Sequence, residues 1–138
     1  MLSPARASEF ADRIRKGPDL NLMLPERKAA HKARQSWLTI ANDHQVPPPG
    51  NWWSIWLLLA GRGAGKTRAA AEWLWWEAWT HPKTRWLVSA PTSSDVRDVC
   101  FEGDSGLITV IPPQLVDHYT RSLHEIYLIN GTLIKGIP

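Results

Sequence analysis

The feature that most constrains this chain is a glycine-rich segment between an apolar run and a helix-forming run. Residues 55–59 are apolar, residues 60–67 read AGRGAGKT, and residues 68–74 favour a helix. Glycines let the backbone fold into a tight nest with its N–H groups pointing inward. The helix that follows directs the positive end of its dipole at the same place. This order of strand, loop and helix predicts a phosphate-binding loop in an α/β fold.

The residue types in this segment predict their roles. Lys66 is expected to place its charge against the β- and γ-phosphates of a nucleoside triphosphate, and the Thr67 hydroxyl to ligate Mg²⁺. We therefore expect ATP and Mg²⁺ as cofactors. Ala60 stands where the strict motif has glycine, and a small residue there still permits the turn. The alternative is a glycine-rich turn that binds no ligand. The predicted nucleotide-binding residues are Ala60, Gly61, Arg62, Gly63, Ala64, Gly65, Lys66, Thr67 and Arg68.

Composition excludes several classes of protein. Hydrophobic residues make up 43% of the 138 residues, which is not a disordered composition. A net charge of +3 is compatible with nucleic acid without demonstrating it. Cys100 is the single cysteine, so no intramolecular disulfide forms. No apolar run reaches membrane-spanning length and no apolar signal core begins the chain, so we expect a cytoplasmic protein without membrane contact.

The nine tryptophans are concentrated around the glycine-rich segment, mostly between Trp52 and Trp86. Tryptophan serves mainly for burial, so this concentration predicts a dense core, with aromatic contacts to a partner as the alternative.

The remaining pattern predicts two domains. Helices are expected over residues 3–16 and 25–43, and the proline-rich residues 46–50 break the chain after them. Residues 1–46 are thus predicted to be a helical N-terminal lead-in. Residues 47–138 are predicted to be an incomplete P-loop ATPase domain.

Within the second domain, strands and helices alternate. Strands are predicted over residues 53–59 and 85–90, and helices over 66–80 and from Thr92 to about Phe101. Residues 105–111 and 114–118 are ambiguous. Residues 125–129 and 132–135 read as a hairpin around Asn130-Gly131. The expected fold class is α/β, a P-loop NTPase-type parallel sheet flanked by helices, with the helical lead-in before it.

An ATPase of this type also needs an apolar strand that ends in a carboxylate for Mg²⁺ and water. None of the thirteen acidic residues follows such a run. Asp117 comes nearest, but Pro112-Pro113 interrupts the preceding sequence. We therefore expect a chain truncated before this strand and inactive in hydrolysis by itself.

Several segments resemble the large terminase subunit of tailed bacteriophages, in the correct order over about residues 35–135. The segments are residues 47–52, 56–68, 71–73, 93–99, 102–103, 105–107 and the hairpin turn Asn130-Gly131.

This resemblance implies an ATPase that packages viral DNA into a capsid, followed by a nuclease domain that is not seen here. It implies that Lys66 and Arg62 are catalytic, with Arg62 stabilising charge at the γ-phosphate, and that Trp52 and Trp53 lie near the adenine. It also implies double-stranded viral DNA, the small terminase subunit and the portal as partners, an oligomeric ring for the full-length protein, and the bacterial cytoplasm as location.

Two other functions stay open. One is a different P-loop enzyme, such as a helicase-like ATPase or a small-molecule kinase, although no arginine-rich segment after the loop provides a kinase lid. The other is a non-catalytic remnant or nucleotide-binding module.

Overall fold

The computed structural model describes residues 24–138. The helix predicted over residues 3–16 lies outside this range. Helix α1 spans Pro25–Ile40 and begins with a proline, whose missing N–H is not needed in the first turn. It ends before the predicted residue 43, because Ala41 adopts extended backbone with ψ of 140°. A short 3₁₀ turn, Asp43–Gln45, follows it.

The helix predicted after the glycine-rich segment is confirmed. Helix α2 spans Lys66–Thr80, starting after Gly65 and stopping at His81. Pro82 comes next, and the residue before a proline is disfavoured in helical conformation. Its buried side chains are Ala69, Ala71, Glu72, Leu74, Trp75 and Ala78. Helix α2 therefore passes through the core.

The sheet is mixed, so the predicted parallel sheet is only partly right. It contains β1 (Arg85–Ser89), β2 (Val116–Thr120), β3 (Glu125–Leu128) and β4 (Leu133–Ile137), in the spatial order β1-β4-β3-β2. Among these four described strands β1 and β4 are parallel, while β2–β3 and β3–β4 are antiparallel. Short connections join β2 to β3 and β3 to β4, and a short connection can link only antiparallel strands. The long connection from β1 to β4 permits the parallel pair.

The predicted hairpin is confirmed. Strands β3 and β4 pair with Glu125 opposite Lys135 and Tyr127 opposite Leu133. The turn also caps α2, because the Asn130 side-chain amide donates to the backbone carbonyls of Ala78 (3.0 Å) and Trp79 (2.9 Å). Carbonyls at the end of a helix lack partners within it. This contact fixes the hairpin to the end of α2.

The strand predicted over residues 53–59 is wrong. This segment is not a member of the sheet. Its side chains alternate as in a strand, with Trp56 and Leu58 half-buried and Ile55, Leu57 and Leu59 exposed by 84%, 69% and 84%. An apolar run becomes a strand only where a neighbouring backbone pairs with it through hydrogen bonds, and none of the four described strands pairs with this segment.

The helix predicted between Thr92 and Phe101 is confirmed with a change of type. Residues Ser93–Asp95 are α-helical and Val96–Phe101 form a π-helical turn, and together they are α3. As the sequence predicts, Thr92 caps the helix, its hydroxyl oxygen accepting from the Asp95 N–H at 3.1 Å. The two ambiguous segments contain helix α4, Leu107–Val110, and strand β2.

The core lies between the helices and the inner face of the sheet. Its fully buried large side chains include Trp75, Phe101, Leu107, Ile126 and Ile134. The tryptophans divide between core and surface: Trp75 and Trp37 are buried, whereas Trp52 is 77% exposed. Among residues 24–138 no helix has the length and apolarity needed to cross a membrane.

Candidate functional site

The glycine-rich loop reverses direction at two glycines. Gly63 has φ of 80° and Gly65 has φ of 78°, both in the left-handed region that other residues rarely adopt. Between them, the Ala64 N–H points back at the Gly61 carbonyl at 3.4 Å. The loop thus turns tightly and leads directly into the first turn of α2.

Lys66 folds back over the loop that precedes it. Its Nζ atom donates to the Ala60 carbonyl at 2.5 Å and to the Gly61 carbonyl at 2.9 Å. The structure therefore brings the predicted lysine and the first two residues of the predicted motif together. The ammonium group lies at the mouth of the loop.

The beginning of α2 is suited to an anion. A helix leaves the N–H groups of its first turn without partners within the helix, and it carries partial positive charge there. Acidic side chains commonly neutralise that charge, but the first turn of α2 contains none. Thr67 is exposed in this turn. Backbone N–H groups, a hydroxyl and an ammonium group therefore converge at one end of α2.

The two arginines of the predicted motif lie in different surroundings. Arg62 is exposed at the tip of the loop and forms no ion pair with any residue between 24 and 138. Arg68 instead pairs with Glu72 and lies over the Trp37 ring, with its guanidinium carbon 5.2 Å from the ring centroid. The Arg68 side chain thus contacts α1 and the middle of α2, and only its backbone belongs to the loop end.

Two residues that sequence reasoning missed contact the loop from the 3₁₀ turn. The His44 Nε2 lies 3.0 Å from the Ala64 carbonyl, and the Gln45 Nε2 donates to the Gly65 carbonyl at 3.2 Å. Gln45 is buried, with 8% of its surface exposed. The pattern of apolar and polar residues could have indicated that Gln45 is a polar residue in the core. No local motif predicts its contact with a residue twenty positions away.

A cavity of about 310 Å³ opens beside the loop and under α2. Lys66 and Thr67 form its polar side, and its other lining residues are Ala70, Ala71, Leu74, Val88, Ser89, Cys100 and Leu107. Burial raises the pKa of the Cys100 thiol, which favours its protonated form. No carboxylate from the described part of the chain lines this cavity.

A second cavity, of about 460 Å³, is lined in part by Ala60 and Ala64 of the loop. It is bounded by the 3₁₀ turn, by Pro48 and by the extended residues 56–60. Trp56 on its wall packs edge-to-face against Trp73 of α2, with ring centroids 6.4 Å apart. Residues of the loop and of the first turn of α2 thus contribute to two cavities with different linings.

Comparison with protein families assigns the chain. The family model described as terminase large subunit, T4likevirus-type, N-terminal, matches residues 57–135. The chain belongs to this terminase family. The match begins in the apolar segment before the loop and runs through α2 and the sheet to Lys135, so it contains most of the candidate site.

Terminase membership gives the chain a role in packaging phage DNA. In this role it acts with the DNA and with other packaging proteins. It confirms the resemblance predicted from the sequence. Comparisons with curated proteins and with solved structures each returned no match.

Proposed function

We propose that this chain is the ATP-binding portion of a phage DNA-packaging motor. The observation that carries this proposal is the geometry at the start of α2. Two left-handed glycines precede a 15-residue helix without acidic first-turn residues, and the Lys66 ammonium lies over the loop. Unpaired N–H groups, helix dipole and a positive charge together favour a polyanion such as a triphosphate.

The residues present fit Mg·ATP. In this proposal Lys66 would bind the β- and γ-phosphates, and Thr67 would contribute an oxygen ligand to Mg²⁺. The metal neutralises phosphate charge when bound. Arg62, exposed and without an ion-pair partner in the described chain, stabilises charge that develops at the γ-phosphate.

ATP binding of this kind serves translocation of DNA in the proposed motor. The proposed partners are double-stranded viral DNA, the small terminase subunit and the portal. Family membership supports the packaging role in general terms, and the net charge of +3 is consistent with a polyanionic partner.

Hydrolysis needs a carboxylate that the described residues do not place at the site. Among residues 24–138, strand β1 pairs with β4 on one side and has no partner strand on the other, and Leu87 on it is 62% exposed. The cavity under α2 lies at this same strand, through Val88 and Ser89. We propose that a further strand, beyond those the structure describes, pairs at the free edge of β1 and brings the acidic residue to Lys66 and Thr67.

The lack of a carboxylate at the site among the described residues favours a second candidate, a nucleotide-binding module that does not hydrolyse ATP. Among residues 24–138 the cavity beside Lys66 has apolar or neutral polar lining apart from the lysine itself. An ATP hydrolysis assay on an assembly that contains the further strand distinguishes the two candidates. The motor should hydrolyse ATP and the binding module should not.

Equilibrium titration of the purified chain with a fluorescent ATP analogue and Mg²⁺ tests the proposed function. We expect saturable binding that unlabelled ATP displaces. Absence of saturable binding by a folded chain would contradict it.

A further inference from the structure

The 3₁₀ turn Asp43–Gln45 is built to present its side chains to the loop. Asn42 precedes the turn, and the Gln45 Oε1 accepts hydrogen bonds from the Asn42 backbone N–H (3.0 Å) and the Asn42 side-chain amide (3.2 Å). Both lone pairs of Oε1 are thereby used. This leaves the Nε2 group of Gln45 directed at the Gly65 carbonyl.

These contacts act on two peptide planes. The Gly65–Lys66 plane is also held by α2 itself, because the Gly65 carbonyl accepts from the Ala69 N–H at 3.0 Å. A carbonyl only accepts, so the His44 Nε2 donates to Ala64 and the Gln45 Nε2 donates to Gly65. In a planar trans peptide the C=O of one residue and the N–H of the next point in opposite directions. With the Ala64 and Gly65 carbonyls turned toward the 3₁₀ turn, the N–H groups of Gly65 and Lys66 point away from it.

Gly65 and Gln45 are also matched in shape. A Cβ atom added to Gly65 would meet the Gln45 Nε2 at a distance of 2.2 Å. Real side chains do not approach so closely, so the amide can reach the Gly65 carbonyl only because residue 65 lacks a side chain. The glycine at this position therefore serves the contact with Gln45 in addition to its left-handed backbone.

We propose that His44 and Gln45 are positioning residues for the direction in which a phosphate is bound. His44 fixes the Gly65 N–H group, and Gln45 fixes the Lys66 N–H group together with the first hydrogen bond of α2. This inference rests on the proposed ATP site for its consequence. The orientation of the loop itself can be measured without any nucleotide.

The test compares Gln45→Glu with the wild-type chain. Glutamate keeps the size of the side chain and its acceptor for Asn42, but it replaces the donor to Gly65 with a carboxylate oxygen that faces the carbonyl. Gln35→Glu is the matched control, since it makes the same charge change on the exposed surface of α1. His44→Ala tests the second contact independently, and His44→Gln restores a donor there.

The first measurement is the backbone amide order parameter of Gly65 and Lys66 by NMR in the ligand-free chain. We expect values near the rigid limit of about 0.85 in wild type and Gln35→Glu. In Gln45→Glu and His44→Ala we expect values toward about 0.6, with other α2 amides unchanged. His44→Gln should lie closer to wild type than His44→Ala. Unchanged order parameters in both Gln45→Glu and His44→Ala would overturn the inference.

The second measurement is affinity for the fluorescent ATP analogue. Loss of one hydrogen bond that orients the loop should weaken binding about five- to tenfold in Gln45→Glu, and less than about twofold in Gln35→Glu. A wild-type chain that binds no analogue contradicts the proposed function, while the ligand-free order parameters still decide the inference. If Gln45→Glu does not fold, the comparison of His44→Ala with His44→Gln tests the positioning role by the same two measurements.

Discussion

The guanidinium of Arg68 is paired with the carboxylate of Glu72 one helical turn later, with Nε and Nη2 at 2.9 and 2.8 Å from Oε1. The other carboxylate oxygen accepts from the Trp75 indole N–H at 2.8 Å. Glu72 is 3% exposed, so this carboxylate is buried with both oxygens bonded. The arrangement joins the end of the loop to the core of α2 through Arg68.

Removing the arginine should therefore destabilise the chain. In Arg68→Met the buried Glu72 loses its ion-pair partner, and we expect a loss of about 2 kcal/mol in the free energy of unfolding. This is less than the 3–5 kcal/mol typical of a fully buried pair, because Arg68 is partly exposed. Urea unfolding measures it. Arg27→Met, at an exposed position of α1, is the control. Equal stability of the two variants would contradict the prediction.

Lys66 should dominate nucleotide affinity. Lys66→Ala removes the positive charge at the mouth of the loop, and we expect a loss of about 2–4 kcal/mol in binding free energy of an ATP analogue if the contact is desolvated. Lys32→Ala removes an equal charge from the exposed surface of α1 and should bind normally. Titration with the fluorescent analogue measures both. Equal affinity of Lys66→Ala and wild type would remove the lysine from the site.

Arg62 should affect turnover more than binding. An arginine that stabilises transition-state charge contributes about 10³–10⁵ in rate, and Arg62→Ala should lose a substantial part of this. The measurement needs a terminase assembly that hydrolyses ATP, with binding and steady-state turnover compared for the same variant. Arg62→Lys retains charge without the guanidinium geometry and serves as control. Near-normal turnover by Arg62→Ala would show that the residue is simply a solvated loop arginine.

The chain by itself should not hydrolyse ATP above background. Glu72 is engaged by Arg68 and Trp75, and the Glu125 carboxylate accepts from Tyr127 and Lys135. A general base must reach within about 3 Å of the attacking water or act through one more water. Phosphate release by the purified chain measures activity, and Lys66→Ala controls for contaminating ATPases. Lys66-dependent turnover of about 1 per second would require a catalytic acid that we have not identified, with Asp117 the first to examine.

Stability should fall in acid through a second ion-pair network. Hydrogen bonds from Arg121, and then from Tyr119, lower the pKa of Glu102 below its ordinary value near 4.5. A carboxyl whose pKa is lower in the folded state contributes stability above its unfolded pKa and loses it as the pH falls through the folded value. The melting temperature should therefore fall from about pH 5 to about pH 3, and less steeply in Glu102→Gln.

The control for this pH dependence is Asp104→Asn, at an exposed carboxyl outside the described ion pairs. In Asp104→Asn the melting temperature should fall with pH as steeply as in the wild-type chain. If Glu102→Gln melts with the wild-type pH dependence, the network does not contribute to acid stability.

Local signals predicted the elements around the site well. Helix α2 begins and ends where predicted because Gly65 and His81-Pro82 act on their immediate neighbours. The hairpin was predictable for the same reason, since Asn130-Gly131 specifies the turn and alternation specifies the pairing. The parallel or antiparallel pairing of the strands was not predictable in this way, and neither was the absence of a strand at residues 53–59. Both depend on which backbone segments pair across long stretches of chain.

The candidate site likewise contains residues that a local motif predicts and residues that only the tertiary structure brings to it. The loop residues share one motif, and the structure brings Lys66 to Ala60 and Gly61 as a compact unit. His44 and Gln45 reach the loop only through the bend after α1, which no short pattern encodes. Arg68 stays a predicted nucleotide-binding residue, and its spacing of four residues from Glu72 also favours the ion pair that the structure shows along the helix.

The hydrogen bonds of Lys66 have one more consequence. An ammonium group has three protons, and two are taken up by the Ala60 and Gly61 carbonyls. In the proposed ATP site the third is left for a phosphate oxygen, so an arriving ligand would not have to displace the contacts that close the loop. Much of the ordering entropy is then lost during folding instead of at binding, which is the thermodynamic advantage of a preorganised site.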